Sequence, residues 1–186
     1  MKKTLLAVFI AATAVISTQA FASGNGAHLV VHGIVADDTE SCNVTPKGAI
    51  TNSSVFLDDI KANQLDQLAV NTPSLAFAKD VIYKIENCKT GGSNYTGNLE
   101  IDMAGNYIPG QPEILTNEAA SPATNASITL LNKDNTRVKF DGSAKQTVPH
   151  TPGVPTIVQY KATYVKTAPG VVSGDIKGIT TFTISY

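Results

Sequence analysis

Short segments in which apolar and polar residues alternate recur along most of the chain after residue 27. They are rich in Val, Ile, Thr and Tyr, and turn-forming stretches such as "KTGGSN" and "YIPGQP" separate them. A period of two predicts β-strands with one buried and one solvated face, and this spacing of strands and turns is typical of a β-sandwich. The predicted strands are 28–36, 54–60, 80–88, 97–103, 126–132, 137–142, 156–165 and 179–186.

One segment is compatible with a helix. In "DDIKANQLDQLA", residues 58–69, the apolar residues Ile60, Leu65 and Leu68 are spaced as in one or two helical turns, but we find no capping pattern that supports a longer helix. The chain shows no internal repeat and no linker that would divide it, so a single domain is expected.

The first 22 residues, "MKKTLLAVFIAATAVISTQAFA", have the features of a secretory signal peptide. Lys2 and Lys3 precede an apolar run, and small residues stand at Ala20 and Ala22, where a signal peptidase cleaves. Removing this segment leaves 164 residues and takes away two basic residues, so the formal net charge falls from −1 to −3. We therefore expect an exported, mildly acidic protein.

Composition and motifs exclude several functions. Arg137 is the only arginine in the sequence, so no basic stripe for nucleic acid is expected. The sequence lacks the GxSxG and HExxH motifs and a Gly-rich phosphate loop, so we expect neither an enzyme nor a cofactor. His28 and His32 would lie about 13 Å apart along a strand, too far to share a metal ion.

The sequence contains two cysteines, Cys42 and Cys88, and neither belongs to a CxxC motif. In an exported protein the simplest interpretation of such a pair is a disulfide bond. The bond would join the end of the first predicted strand to the end of the strand at 80–88.

Together these features resemble the pilin subunits of bacterial chaperone–usher fimbriae of the type 1 and F17-like kind. The resemblance rests on the order and spacing of several motifs over the whole mature chain. These motifs are the signal peptide, "HGIVADDTESCNV" near the mature N-terminus, the second cysteine at the end of a strand, "ITLLNKD" before "KFDG", the late strand "VQYKATYV" and the C-terminal "TFTISY".

The resemblance implies an incomplete immunoglobulin-like sandwich that lacks its last strand. In this family a periplasmic chaperone first fills the open groove, and the N-terminal extension of the next subunit later replaces it by donor-strand exchange, a form of β-strand addition. The implied organisation is a signal peptide at 1–22, a donor-strand extension at 23–38 and a pilin domain at 39–186. The implied partners are neighbouring pilin subunits, the chaperone and the outer-membrane usher, with a host receptor as a further candidate.

The resemblance also indicates which residues act in assembly. We predict that Leu29, Val31, Gly33 and Val35 form the inserted face of the donor strand, since Gly33 lies where the family has a glycine. The acceptor groove and chaperone contact would involve Phe182, Ile184 and Tyr186. Family members usually carry a tyrosine one residue before the end, whereas this sequence stops at Tyr186 itself, which shifts the C-terminal carboxylate relative to the aromatic ring at the expected chaperone contact.

The expected function is therefore that of a structural subunit of a surface fimbria that supports cell adhesion. A minor adaptor or a receptor-binding, lectin-like subunit is the alternative. Tip adhesins of this family carry an additional receptor domain, for which 164 residues leave no room, and a terminator would lack the donor strand.

Overall fold

The computed structural model describes residues 27–33 and 40–186, and this part of the chain is nearly all β-structure. Besides the strands it contains a short helix α1, Ala62–Asp66, and a 3-10 helix, Leu75–Phe77. The strands are β1 His28–Gly33, β2 Glu40–Gly48, β3 Ile50–Thr51, β4 Ser54–Phe56, β5 Lys79–Thr90, β6 Ser93–Asn94, β7 Gly97–Gly105, β8 Tyr107–Ile108, β9 Gln111–Leu115, β10 Ala126–Asn132, β11 Gln146–His150, β12 Thr156–Lys166 and β13 Lys177–Ser185.

The strands form two main sheets, as predicted for an all-β sandwich. The first sheet has the order β11-β7-β13-β1-β4-β3, and the second has the order β10-β12-β5-β2, with β6 paired to β5. Strands β8 and β9 make a separate hairpin. None of the helices in the described ranges is long and apolar enough to cross a membrane.

One continuous core lies between the sheets, and the alternation along each strand explains it. In β5, Val81, Tyr83 and Ile85 are buried while Ile82 and Lys84 are partly exposed, as the period-two pattern predicts. Residues from both sheets belong to the same cluster of buried side chains, including Leu29 of β1 and Phe182 of β13.

Cys42 and Cys88 form a disulfide bond, so the prediction of this bond is confirmed. Its position differs from the one expected, because Cys42 lies near the start of β2 rather than at the end of the first strand. The pairing of β2 with β5 shifts between Ser41 and Asn43, and Asn87 has a positive φ of 52°. Asparagine tolerates this left-handed conformation, so a bulge at Asn87 places Cys88 against Cys42.

The prediction of a strand at 137–142 is wrong. This segment crosses from β10 of the second sheet to β7 of the first, with isolated bridges from Arg137 to Leu131 and from Asp141 to Ala104, so its hydrogen bonds go to several partners in turn. The amide of Val138 donates to Leu130 O at 2.9 Å, whereas that of Phe140 donates to Pro112 O at 2.8 Å. Both side chains are buried, and this burial produces the apolar alternation without a strand.

Other boundaries also differ. Strand β4 ends at Phe56 rather than at residue 60, because the chain then turns toward the second sheet, where Asp58 O accepts a hydrogen bond from the Tyr164 hydroxyl at 2.8 Å. Strand β2 was not predicted, because its residues from Asn43 to Gly48 are exposed and show no apolar alternation. The short helix α1 lies within the segment that the sequence left compatible with a helix, and Gln64 Oε1 caps it by accepting the Lys61 amide at 3.0 Å.

Candidate functional site: the slot beside the C-terminal strand

The six-stranded sheet contains a slot between β13 and β4, which we call the β13–β4 slot. Apart from β1, no strand among the described residues pairs with the side of β13 that faces the slot; β7 pairs with its other side. Without β1 the sheet would be divided, and the backbone groups of two strands would be left without partners.

In this structure β1, from the N-terminal part of the same chain, occupies the β13–β4 slot. It runs parallel to β13, with His28 opposite Lys177 and Gly33 opposite Phe182. It runs antiparallel to β4, and the Val31 amide donates to Ser53 O at 2.8 Å. The chain therefore closes its own slot with a hydrogen-bonded strand.

The inner face of β1 completes the core. Leu29 and Val31 are 0% and 4% exposed, and both belong to the core cluster. Leu29 lies opposite Gly178, and a Cβ at Gly178 would come within 2.8 Å of Leu115 Cδ1. Gly178 thus leaves the space that Leu115 occupies beside the slot.

Phe182 links the slot to the opposite sheet. Its ring stacks on Tyr83 of β5, with ring centroids 4.1 Å apart and an interplanar angle of 24°. Burial raises the pKa of the Tyr83 phenol well above its usual value. Phe182 therefore fixes the distance between the sheets at the C-terminal half of the slot.

The outer face of β1 is partly exposed and contains His28. Its imidazole stacks on Phe56 of β4, with ring centroids 5.8 Å apart. Partial burial and the nearby charge of Lys177 lower the pKa of His28, while Asp175 acts in the opposite direction. The neutral imidazole is therefore the form favoured when β1 lies in the slot.

Tyr186 lies beyond the end of β13 and contacts the second sheet. Its hydroxyl donates to Lys89 O at 2.8 Å, and its ring lies 4.6 Å from that of Tyr95. These contacts fix the last residue close to the disulfide-bonded end of β5.

The structure places the predicted site residues as follows. Leu29 and Val31 are inside the β13–β4 slot, and Gly33 is the last residue of β1, with its backbone opposite Phe182. Val35 lies outside the described residues, as do the predicted signal peptide and most of the extension at 23–38.

On β13, Phe182 is buried and Ile184 packs against the core, as the alternation predicts. Tyr186 is 37% exposed and points to the second sheet instead of the slot. The second wall of the slot is β4, with buried Val55, and its role could not be predicted because nothing local in its three residues indicates the partner across the slot.

The site contains backbone donors, backbone acceptors and apolar side chains. No group of three or more metal-ligating side chains occurs in the part of the chain that the structure describes. Such a slot can bind an extended peptide strand through main-chain hydrogen bonds and alternate side chains.

Comparison with known proteins identifies the family of this chain. A sequence model of the family described as fimbrial protein matches residues 29–186. The chain belongs to the fimbrial protein family. The S-fimbrial protein subunit SfaA of Escherichia coli O6:K15:H31 (strain 536 / UPEC) is 29% identical over 194 residues, covering 100% of this chain and 98% of that protein.

Solved structures share the fold of this fimbrial subunit. A chaperone–usher pilus, solved in a study of rod uncoiling, has a TM-score of 0.58 at 19% identity, covering 83% of this chain and 91% of that chain. The P pilus rod subunit PapA has a TM-score of 0.56 at 19% identity, with 78% and 98% covered. The type I fimbria protein and antigen of Burkholderia pseudomallei has a TM-score of 0.54 at 14% identity, with 80% and 100% covered.

Membership of the family confirms the prediction of a structural, non-enzymatic fimbrial subunit with an incomplete immunoglobulin-like sandwich. It also establishes that the protein is a surface-exposed pilus subunit that associates with other pilin subunits.

Proposed function

We propose that this fimbrial subunit polymerises by donor-strand exchange through the β13–β4 slot. In the fibre, residues 23–38 of one subunit insert into the slot of the next, with Leu29, Val31, Gly33 and Val35 on the inserted face. Phe182 and Ile184 contribute to the acceptor groove that receives them. The observation that carries this proposal is the slot itself, which requires an added strand to complete the sheet.

The energetics of an empty slot support a requirement for a replacement strand once β1 has left it to join a neighbour. Removing β1 would expose core side chains such as Val55 and Phe182, which are 0% and 5% exposed with β1 in place. It would also leave edges on β13 and β4, and exposed apolar edges pair with other chains.

This exposure gives a reason for the partners that precede the fibre. A periplasmic chaperone supplies a temporary strand to the slot, and an outer-membrane usher receives the subunit and passes it to the growing fibre. The signal peptide at 1–22 directs the chain to the periplasm, where oxidation forms the Cys42–Cys88 bond. The assembled fibre on the cell surface supports adhesion, and a host receptor could contact exposed aromatic residues such as Tyr107.

The joint between subunits is non-covalent, and this property provides the test. Cell-surface extract is separated on an SDS gel without reductant, with and without boiling, and probed for this protein. We expect a ladder of multiples that collapses to the monomer on heating alone. Because reductant is absent from both lanes, disulfide-linked multiples would survive boiling. A single monomer band in both lanes would contradict the proposal.

A further inference from the structure

The strand that we expect to join subunits is also the strand that closes this one. We propose that a subunit without a neighbour exists as a self-closed monomer, in which β1 fills its own β13–β4 slot and blocks entry into a fibre. The inference rests on the proposed function, because it concerns the regulation of the same slot.

The self-closed monomer can neither donate nor accept a strand. Leu29 and Val31, which would be inserted into a neighbour, are already buried in the chain's own core. The backbone of β1 is paired with β13 along the whole strand and with β4 at three positions. A single event, the departure of β1, therefore frees both halves of the joint at once.

The direction of β1 explains why this closure does not itself lead to a fibre. Because β1 is parallel to β13, Gly33 lies toward the end of the domain where Tyr186 is located. Strand β2 begins at the same end, since Glu40 pairs with Thr90 and Tyr186 donates to neighbouring Lys89. We call this end the C-terminal pole.

Suppose that β1 entered another subunit in this same parallel direction. The seven Cα–Cα steps from Gly33 to Glu40 span at most about 25 Å, so the C-terminal poles of the two subunits would meet. Such a contact uses the same surface on both partners and closes as a two-fold dimer.

Insertion of β1 in the opposite direction brings the C-terminal pole of the donating subunit to the other end of its neighbour, near Lys177. That contact joins different surfaces and can repeat without limit. Growth of the fibre thus requires β1 to leave the slot and to reverse its direction.

A designed disulfide tests the self-closed state. Val30 and Ile179 are opposite each other on β1 and β13, and both are only partly buried on the outer face. The double variant Val30→Cys/Ile179→Cys is purified as a monomer from the full chain and oxidised, and its disulfides are mapped by mass spectrometry of non-reduced peptides. The matched control is Val30→Cys/Thr183→Cys, in which the second cysteine lies four residues further along β13, about 13 Å away.

We expect the 30–179 bond within one chain, with the Cys42–Cys88 bond intact, and little bond formation in the control. Equal cross-linking of the control, or a 30–179 bond between two chains, would overturn the proposal. The oxidised variant should also lose its ability to form heat-labile multiples and regain it on mild reduction that spares Cys42–Cys88. Undiminished assembly of the oxidised form would overturn it as well.

A measurement on the unaltered chain covers the case in which the variants fail to fold. In the monomer at low concentration, the Val31 amide should be protected from hydrogen exchange, since it donates to Ser53 O. The Ser74 amide, which donates to Tyr164 O at 2.9 Å outside the slot, is the internal control. An unprotected Val31 amide together with a protected Ser74 amide would show an empty slot and overturn the proposal.

The two proposals fail in different ways. If the unaltered chain never forms heat-labile multiples, polymerisation fails, while the 30–179 bond in the monomer still decides self-closure. If multiples form but that bond does not, only self-closure is refuted.

Discussion

Truncation of Leu29 measures how strongly β1 is held in the β13–β4 slot. The Leu29 side chain is fully buried, and Leu29→Ala removes three carbon atoms from it. At about 0.8 kcal/mol for each buried CH₂ group, the lost transfer free energy is about 2.4 kcal/mol. The residual cavity adds to this value, so we expect the free energy of unfolding to fall by about 2–5 kcal/mol.

The assay is urea denaturation of the disulfide-intact monomer, followed by circular dichroism at low protein concentration. Val30→Ala is the matched control, because Val30 is adjacent in the same strand but only partly buried on the outer face. Its loss of two methyl groups from a partly exposed side chain should cost less than about 1 kcal/mol. Equal effects of the two substitutions would refute the assignment of Leu29 to the inner face, and no effect of either would show that β1 does not stabilise the monomer.

Three further substitutions test other parts of the structure. Gly33→Leu should abolish the heat-labile ladder by overfilling the slot, and it should also lower the urea midpoint of the monomer, because β1 occupies the same slot there. Normal fibres would refute the proposed register. Cys42→Ser should lower the free energy of unfolding by about 4 kcal/mol, because the unfolded chain is no longer restricted by a bond between residues with a sequence separation of 46. An immunoblot should also show less of the subunit in the periplasm. Undiminished amounts would show that the bond is dispensable. The folded-state pKa of His28 lies below its ordinary value of 6.5. Below about pH 6.5 the unfolded chain therefore binds more protons than the folded chain, so this contribution to the free energy of unfolding should be full above that pH and fall as the pH is lowered. Denaturation at several pH values should show a weaker pH dependence for His28→Gln, and identical profiles would contradict the burial of His28 beside β13.

Much of the fold followed from local patterns. The strand at 126–132 agrees with β10 at both ends, and the alternation in β5 identified the buried face of Val81, Tyr83 and Ile85. These predictions succeeded because a strand with one buried face carries its own period-two signal. The segment at 137–142 carries a similar signal but is not a strand, because burial between two sheets produces alternation without a continuous partner.

The sequence by itself determined the class of fold, the pair of cysteines that become bonded, and the inner residues of the first and last strands, including Leu29, Val31 and Phe182. These properties depend on side-chain polarity and spacing, which are local. Only the tertiary structure decided which strand lies beside β13, in which direction β1 runs, and that β4 is the second wall of the slot. Strand pairing is made by backbone groups that are the same in every residue, so partner and direction depend on which distant segments the whole chain brings together.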